Sequence, residues 1–187
     1  GTNQVPGKID GSLDFDGSDD YVDTNYNTHH TQTTIEAWIY PEGWGEGWDI
    51  YEMGRVIDKV EGGEQVLVLY LYNIDENLRF ERVRDIHTGS WKTPNSSIAL
   101  NTWQHIVVTY DESSTENVPS IYINGQPQSV TQMEQPEGTA LTNTDDYIIG
   151  NRGAGDRTFD GLIEEVRISN VPRSGGWIFA QHKSMTD

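Results

Sequence analysis

The sequence predicts an all-β protein: a two-sheet antiparallel β-sandwich of jelly-roll type, with a short C-terminal helix. Three observations carry this reading. Roughly ten short segments are rich in Val, Ile, Thr, Tyr and Trp, residues that suit a pleated, half-buried surface. Turn clusters separate them, drawn from 19 Gly and 7 Pro in 187 residues. Only the tail is read as a helix; the 65–72 run fits either period, and its β-branched and aromatic content decides for strand. One domain of residues 1–187 accommodates all of it, since sandwiches of this length are commonly undivided.

The elements follow in order. Residues 1–7, GTNQVPG, read as a disordered lead-in or a processing boundary. Strand 12–17 alternates Leu13 and Phe15 with Asp14 and Asp16, and 20–24 follows it. Strand 33–41, TTIEAWIYP, is the first long one. Residues 42–53, EGWGEGWDIYEM, lack any period and read as an irregular loop. Strand 54–60 leads through Glu61-Gly62-Gly63-Glu64 into 65–73. That run is apolar on both faces, which places it mid-sheet, buried on each side. Strands 77–85 and 102–111 follow. Strand 119–124 ends in Asn124-Gly125, a two-residue hairpin signal because both residues tolerate positive φ. Residues 128–146 are polar and aperiodic. Strand 146–151, the Gly153-Ala154-Gly155 turn and strand 161–169 complete the sheets. The tail 174–185, SGGWIFAQHKSM, turns Trp177, Ile178 and Gln181 toward the sandwich as a helix. The first and last long strands, 12–17 and 161–169, are expected to pair.

Composition narrows the function. Thirty acidic against 12 basic residues give a net charge of −18. Phosphate attraction needs positive potential, so the charge argues against non-specific binding to nucleic acid or anionic membranes, and no nucleic-acid partner is expected. Cysteine is absent, which excludes thiolate and zinc–cysteine chemistry and fits a prokaryotic secreted or surface protein without disulfides. No apolar run reaches the length of a membrane span, so no membrane insertion is expected.

Two carboxylate clusters suggest a metal. One holds Asp14, Asp16, Asp19 and Asp20 around Gly17; the other holds Asp160, Glu164 and Glu165. Like charges so close need a cation or hydrogen-bond donors. Hard oxygens around a turn suit Ca²⁺. Asp16, Asp19 and Glu164 are the leading side-chain candidates, with Asp20 and Asp160 behind them. The alternative is a set of turn carboxylates satisfied by backbone N–H groups.

Two further groups suggest a glycan. Sugars stack their C–H faces on aromatic rings and need planar polar partners for their hydroxyls. Trp44, Trp48 and Tyr51 occupy the Gly-rich loop, where a ring has less reason to be buried. Arg82, Arg84, His87 and Trp91 form a second constellation, whose guanidinium forks suit hydroxyls, carboxylates or sulfates. The alternative for the arginines is pairing with surplus Asp and Glu. Trp38, Trp103 and His105 are expected in the core and His29-His30 in a solvated loop. Catalysis is not indicated. No strand carries alternating carboxylates on one face, Glu164 and Glu165 are adjacent and point oppositely, and no nucleophile elbow is present.

Six segments carry a resemblance over roughly residues 8–173: SLDFDGSDDYV (12–22), TTIEAWIYP (33–41), NTWQHIVVTYD (101–111), IYINGQP (121–127), YIIGNR (147–152) and FDGLIEEVRISNVPRS (159–174). In that order they resemble laminin G-like jelly-roll domains of the concanavalin A-like lectin and glucanase superfamily. The resemblance implies a structural Ca²⁺ and a non-catalytic carbohydrate-binding module. It also implies a monomeric unit within a larger secreted or cell-surface protein. It equally admits a protein-binding adhesion domain, or a glycosidase or lyase. The chain departs from the family at Glu164, where Asp is common, and in the segment around residues 44–51.

Overall fold

A computed structural model describes residues 2–61, 64–142 and 144–186; the expected Gly62-Gly63 turn lies outside them. Sixteen strands and one helix follow in chain order: β1 (Asn3–Pro6), β2 (Gly11–Asp16), β3 (Val22–Asp23), β4 (Gln32–Pro41), β5 (Gly47–Trp48), β6 (Tyr51–Glu52), β7 (Arg55–Glu61), β8 (Glu64–Tyr72), β9 (Asn77–Arg82), β10 (Gly89–Lys92), β11 (Gln104–Asp111), β12 (Ser120–Ile123), β13 (Gln126–Pro127), β14 (Thr131–Glu134), β15 (Tyr147–Ile149), β16 (Asp160–Ser169) and α1 (Gly175–Ser184). Two seven-stranded sheets form the sandwich, ordered β1-β2-β16-β4-β11-β12-β13 and β14-β10-β9-β8-β7-β15-β3. The ten expected strands are all present. β2 and β16 pair antiparallel, with Asp160 opposite Asp16.

Period-2 alternation builds the core. The first sheet contributes Phe15, Ile35, Ala37, Ile39, Ile106, Val108 and Ile163; the second contributes Ile57, Leu67, Leu69, Leu71, Leu78, Phe80 and Trp91. β8 is buried on both faces as its sequence implies, because Val66, Val68 and Tyr70 point outward yet stay 0–4% exposed. Asn124 and Gly125 both take positive φ, +52° and +72°, and turn β12 into β13.

Several expectations are corrected. Asn3–Pro6 is an edge strand paired with β2, so most of the 1–7 segment belongs to the domain; edge pairing needs only backbone groups, which polar residues also carry. The 42–53 loop contains the β5–β6 hairpin, and 128–146 contains β14. Trp38 is buried, but on the outer face of the first sheet beneath α1, with its ring centroid 5.2 Å from that of His105 and 5.4 Å from that of His182. His105 lies there too, 3.5 Å from the Glu36 carboxylate. Trp103 is only half-buried, resting on Tyr40 with centroids 5.5 Å apart. Ser174 caps the helix, its hydroxyl accepting from Trp177 N, and the helix buries Ile178.

Candidate functional site

The outer face of the second sheet collects charge and rings. Cross-strand register aligns Arg55, Tyr70, Arg79 and Lys92 in one row, and Asp58, Val68, Glu81 and Ser90 in the next. Arg55 lies 4.6 Å over the Tyr70 ring and 3.2 Å from Asp58. Tyr70 donates its hydroxyl to Glu81 at 2.6 Å. Burial, then the Glu81 charge, push that phenol well above its ordinary range. Asp58 is fully buried. Burial raises its pKa from 3.8 to about 7, against the opposing pull of Arg55 and Arg152. The Arg55–Asp58 pair is close but misaligned, since both Asp58 oxygens and the Arg55 Nε and Nη1 lack hydrogen-bond partners among the described residues.

An aromatic strip borders this face. The β5–β6 hairpin sets Tyr51 parallel to Tyr72, centroids 6.4 Å apart. Trp48 meets Tyr51 edge-on at 6.5 Å. Arg79 lies 3.6 Å over Tyr72 and Arg157 lies 4.9 Å over Trp48. Trp48 is 59% exposed and Tyr51 38%, as expected of an outward-facing loop. Trp44 differs, because it is half-buried against the core.

Arg82, Arg84 and Trp91 are corrected as surface ligand residues. Arg82 and Arg84 do share one side, but register puts Arg82 opposite Leu67, the inward side at the sandwich end. Arg82 pairs with Glu112 and donates to the Val66 and Leu141 carbonyls at 2.7 and 2.6 Å. Arg84 donates to the Gly138 and Glu112 carbonyls at 2.8 and 2.7 Å. Burial alone would raise the Glu112 carboxyl; hydrogen bonds from His29 and Arg82 outweigh it and hold it low. Trp91 is fully buried between Phe80 and Tyr110. His87 is exposed and paired with Glu137 at 3.0 Å. Tyr72, Arg79 and Arg152 border the strip in their place, while Tyr70, Arg55 and Arg157 are buried beside it. Alternation along 68–72 and 79–81 places Tyr70, Tyr72 and Arg79 on that face; no sequence signal brings 152–157 beside Trp48.

The acidic cluster divides. Carboxylate oxygens of Asp16, Asp19 and Asp20 lie within 4.8 Å of one another. Asp20 Oδ2 accepts from Asp16 N at 3.1 Å and Asp16 Oδ1 from Ser18 N at 3.0 Å. Asp160 stands opposite Asp16; burial, then the Asp16 and Asp14 charges, raise its pKa. Glu164 is corrected. Its carboxylate accepts from Lys8 N and Ile9 N at 2.9 Å each, so it ties down the β1–β2 turn.

These two seven-stranded sheets with one capping helix define a lectin-like jelly roll. A family model for the concanavalin A-like lectin/glucanases superfamily, in its laminin G form, matches residues 16–179, and the chain belongs to that family. Solved structures share the fold. The binding domain of Paraclostridial Mosquitocidal Protein 1 is 17% identical with a TM-score of 0.71, covering 98% of this chain and 46% of that one; this chain spans about half its length. The Ruminococcus gnavus IT-sialidase CBM40, solved with α2,3 sialyllactose, is 14% identical with a TM-score of 0.70, covering 91% and 96%. Domain 4 of AbnA, an extracellular arabinanase of Geobacillus stearothermophilus solved with arabinotriose, is 17% identical with a TM-score of 0.60, covering 96% and 80%. No curated protein matches. Among the described residues no helix is long and apolar enough to cross a membrane.

Proposed function

We propose that this domain is a non-catalytic carbohydrate-binding module that takes an oligosaccharide on the outer face of its second sheet. The strip of exposed Trp48 and Tyr51 beside half-buried Tyr72 carries the reading. Trp48 and Tyr51 offer apolar ring surface to sugar C–H groups, and the neighbouring half-buried Arg79 supplies a planar donor for hydroxyls. The relatives solved with oligosaccharides support the class of ligand. The module belongs, on this reading, to a larger secreted or surface protein. Isothermal titration against a panel of soluble oligosaccharides tests it. Binding that weakens in Trp48→Ala supports the reading; no binding to any sugar overturns it in favour of a protein-binding adhesion domain, and sugar binding unaffected in that variant removes the strip as the site.

The same proposal includes a structural Ca²⁺. The residues present fit it: three carboxylates converge from one turn, each with two hard oxygens. Asp16, Asp19 and Asp20 would hold the ion, which supplies charge neutralisation and a staple for the 16–20 turn. Asp160 is close enough in register to feel its charge.

A further inference from the structure

The connection from β15 to β16 places two guanidinium groups around one exposed carboxylate. Asp156 receives a two-pronged ion pair from Arg152, with Nη2 at 2.7 Å. Arg157 Nη1 lies 3.4 Å from the same carboxylate. Arg157 also covers the Trp48 ring, the most exposed ring of the strip. Side-chain exposure is 46% for Asp156, 25% for Arg152 and 7% for Arg157. The Asp156 carboxylate is thus the outermost member of the group.

The backbone of both arginines is held without the Asp156 side chain, although Arg157 Nη1 also donates to the Asp156 carbonyl. Asn151 is fully buried, and its Oδ1 accepts from both Arg152 N and Arg157 N, at 2.8 and 3.0 Å. One side chain therefore fixes both stems of the 152–157 loop. Its tip is open: a Cβ on Gly153 or Gly155 would meet nothing within 4 Å. Below, the buried Asp58 faces Arg152 from β7, along with Arg55; Gln65 and Tyr70 on β8 and Glu81 on β9 complete its surroundings. Arg152 thus has the buried Asp58 carboxyl group on one side and the Asp156 carboxylate on the other, and only the latter is exposed.

We propose that the Arg152–Arg157 clamp beside Trp48 is a subsite for the carboxylate of an acidic sugar, and that Asp156 is its tethered occupant in the unliganded protein. The inference rests on the carbohydrate-binding reading and names the ligand class within it. A uronic or sialic acid residue stacks its ring on Trp48, and its carboxylate takes the place of the Asp156 side chain between the two forks. Planar two-pronged pairing is the geometry for which arginine is favoured over lysine. The surrounding charge of −18 opposes long anionic chains, while salt confines that repulsion to about 8 Å. A single acidic residue within a mostly neutral oligosaccharide is the best match.

The test compares 3′-sialyllactose with lactose, and tetragalacturonate with galactotetraose, by titration on wild type, Arg152→Gln and Asp156→Asn, with melting curves for each. At least one acidic probe should bind about tenfold tighter than its neutral partner, as a charge-assisted pair implies. That preference should vanish in Arg152→Gln. It should grow several-fold in Asp156→Asn, because the competing internal anion is gone while Asn151 still holds the loop. Equal binding of acidic and neutral probes overturns the subsite while leaving the glycan reading intact. So does an Asp156→Asn variant of unchanged melting temperature that loses the preference. Binding of neither kind, here and across the wider panel, overturns the glycan reading itself.

Discussion

Asp58→Asn isolates the electrostatics of the sheet beneath the site. Folding raises the pKa of Asp58 from 3.8 to about 7, so the folded state retains a proton that the unfolded chain releases. The stability it contributes is present in full below about pH 4 and lost as pH rises through about 7. Each tenfold change in proton affinity is worth about 1.4 kcal/mol, so ionised Asp58 costs the fold about 4 kcal/mol. Asparagine keeps the shape of the protonated acid without a titrating group. Urea unfolding of both proteins at pH 4, 6 and 8 measures the difference directly. Carboxyls held low, such as Asp75 by the Lys92 ammonium and Asp156 by the Arg152 guanidinium, titrate alike in both and cancel. The variant should match wild type at pH 4 and exceed it by up to about 4 kcal/mol at pH 8. A difference that does not change with pH, or a variant weaker than wild type at pH 8, would refute the reasoning. The second result would mean that Asp58 is worth more to Arg55 as a partner than it costs as a buried charge.

Three further outcomes follow from burial and charge. Trp48→Ala should weaken glycan binding by about 1–3 kcal/mol, by analogy with stacking on nucleic-acid bases, with no change in melting temperature. Trp44→Ala should lower the melting temperature instead, as calorimetry of the two variants would show. Trp91→Ala should destabilise by about 3–5 kcal/mol and half-buried Trp103→Ala by clearly less; denaturant melts that fail to rank them so contradict the packing described. Millimolar Ca²⁺ should raise the melting temperature by mass action, and Asp16→Ala should abolish most of the rise. A melt indifferent to both Ca²⁺ and EDTA removes the metal.

The strands were legible because each rests on a local rule. Alternation marks β2, β4, β11 and β16, and the Asn124-Gly125 pair announces its turn. What stayed hidden depends on partners distant in sequence. β1 and β14 are edge strands with little apolar content, so only backbone pairing defines them. Arg82 and Arg84 share a side, as alternation requires, but only the register with β8 shows that this side faces inward. Trp91 looked like a partner of those arginines; it lies opposite Phe80 and is core. The Gly-rich loop was legible in part, because one ring was bound to anchor it. Trp44 does so, leaving Trp48 and Tyr51 exposed. Glu164 was misplaced because backbone N–H groups of a turn over 150 residues earlier satisfy it.

One buried side chain joins the two halves of the proposed function. Asn151 Oδ1 holds the stems of the 152–157 loop, while its Nδ2 donates to the Asp20 carbonyl at 3.2 Å and to Thr158 Oγ1 at 2.7 Å. Thr158 Oγ1 in turn donates to the Ser18 carbonyl at 2.8 Å. The turn expected to hold Ca²⁺ is therefore bonded directly to the residue that spaces the arginine clamp. An ion that fixes Asp16, Asp19 and Asp20 also fixes the carbonyls on which Asn151 rests, and so preorganises the clamp. Preorganisation raises affinity by lowering the ordering cost of binding, and the coupling must be reciprocal. Acidic oligosaccharide should bind several-fold more weakly in EDTA than in Ca²⁺, and saturating sugar should tighten Ca²⁺ binding by the same factor. Asn151→Ala should uncouple the two, lowering sugar affinity in Ca²⁺ and removing its dependence on the metal. Titrations in which each ligand ignores the other would show that the Asn151 bridge is a structural tie alone.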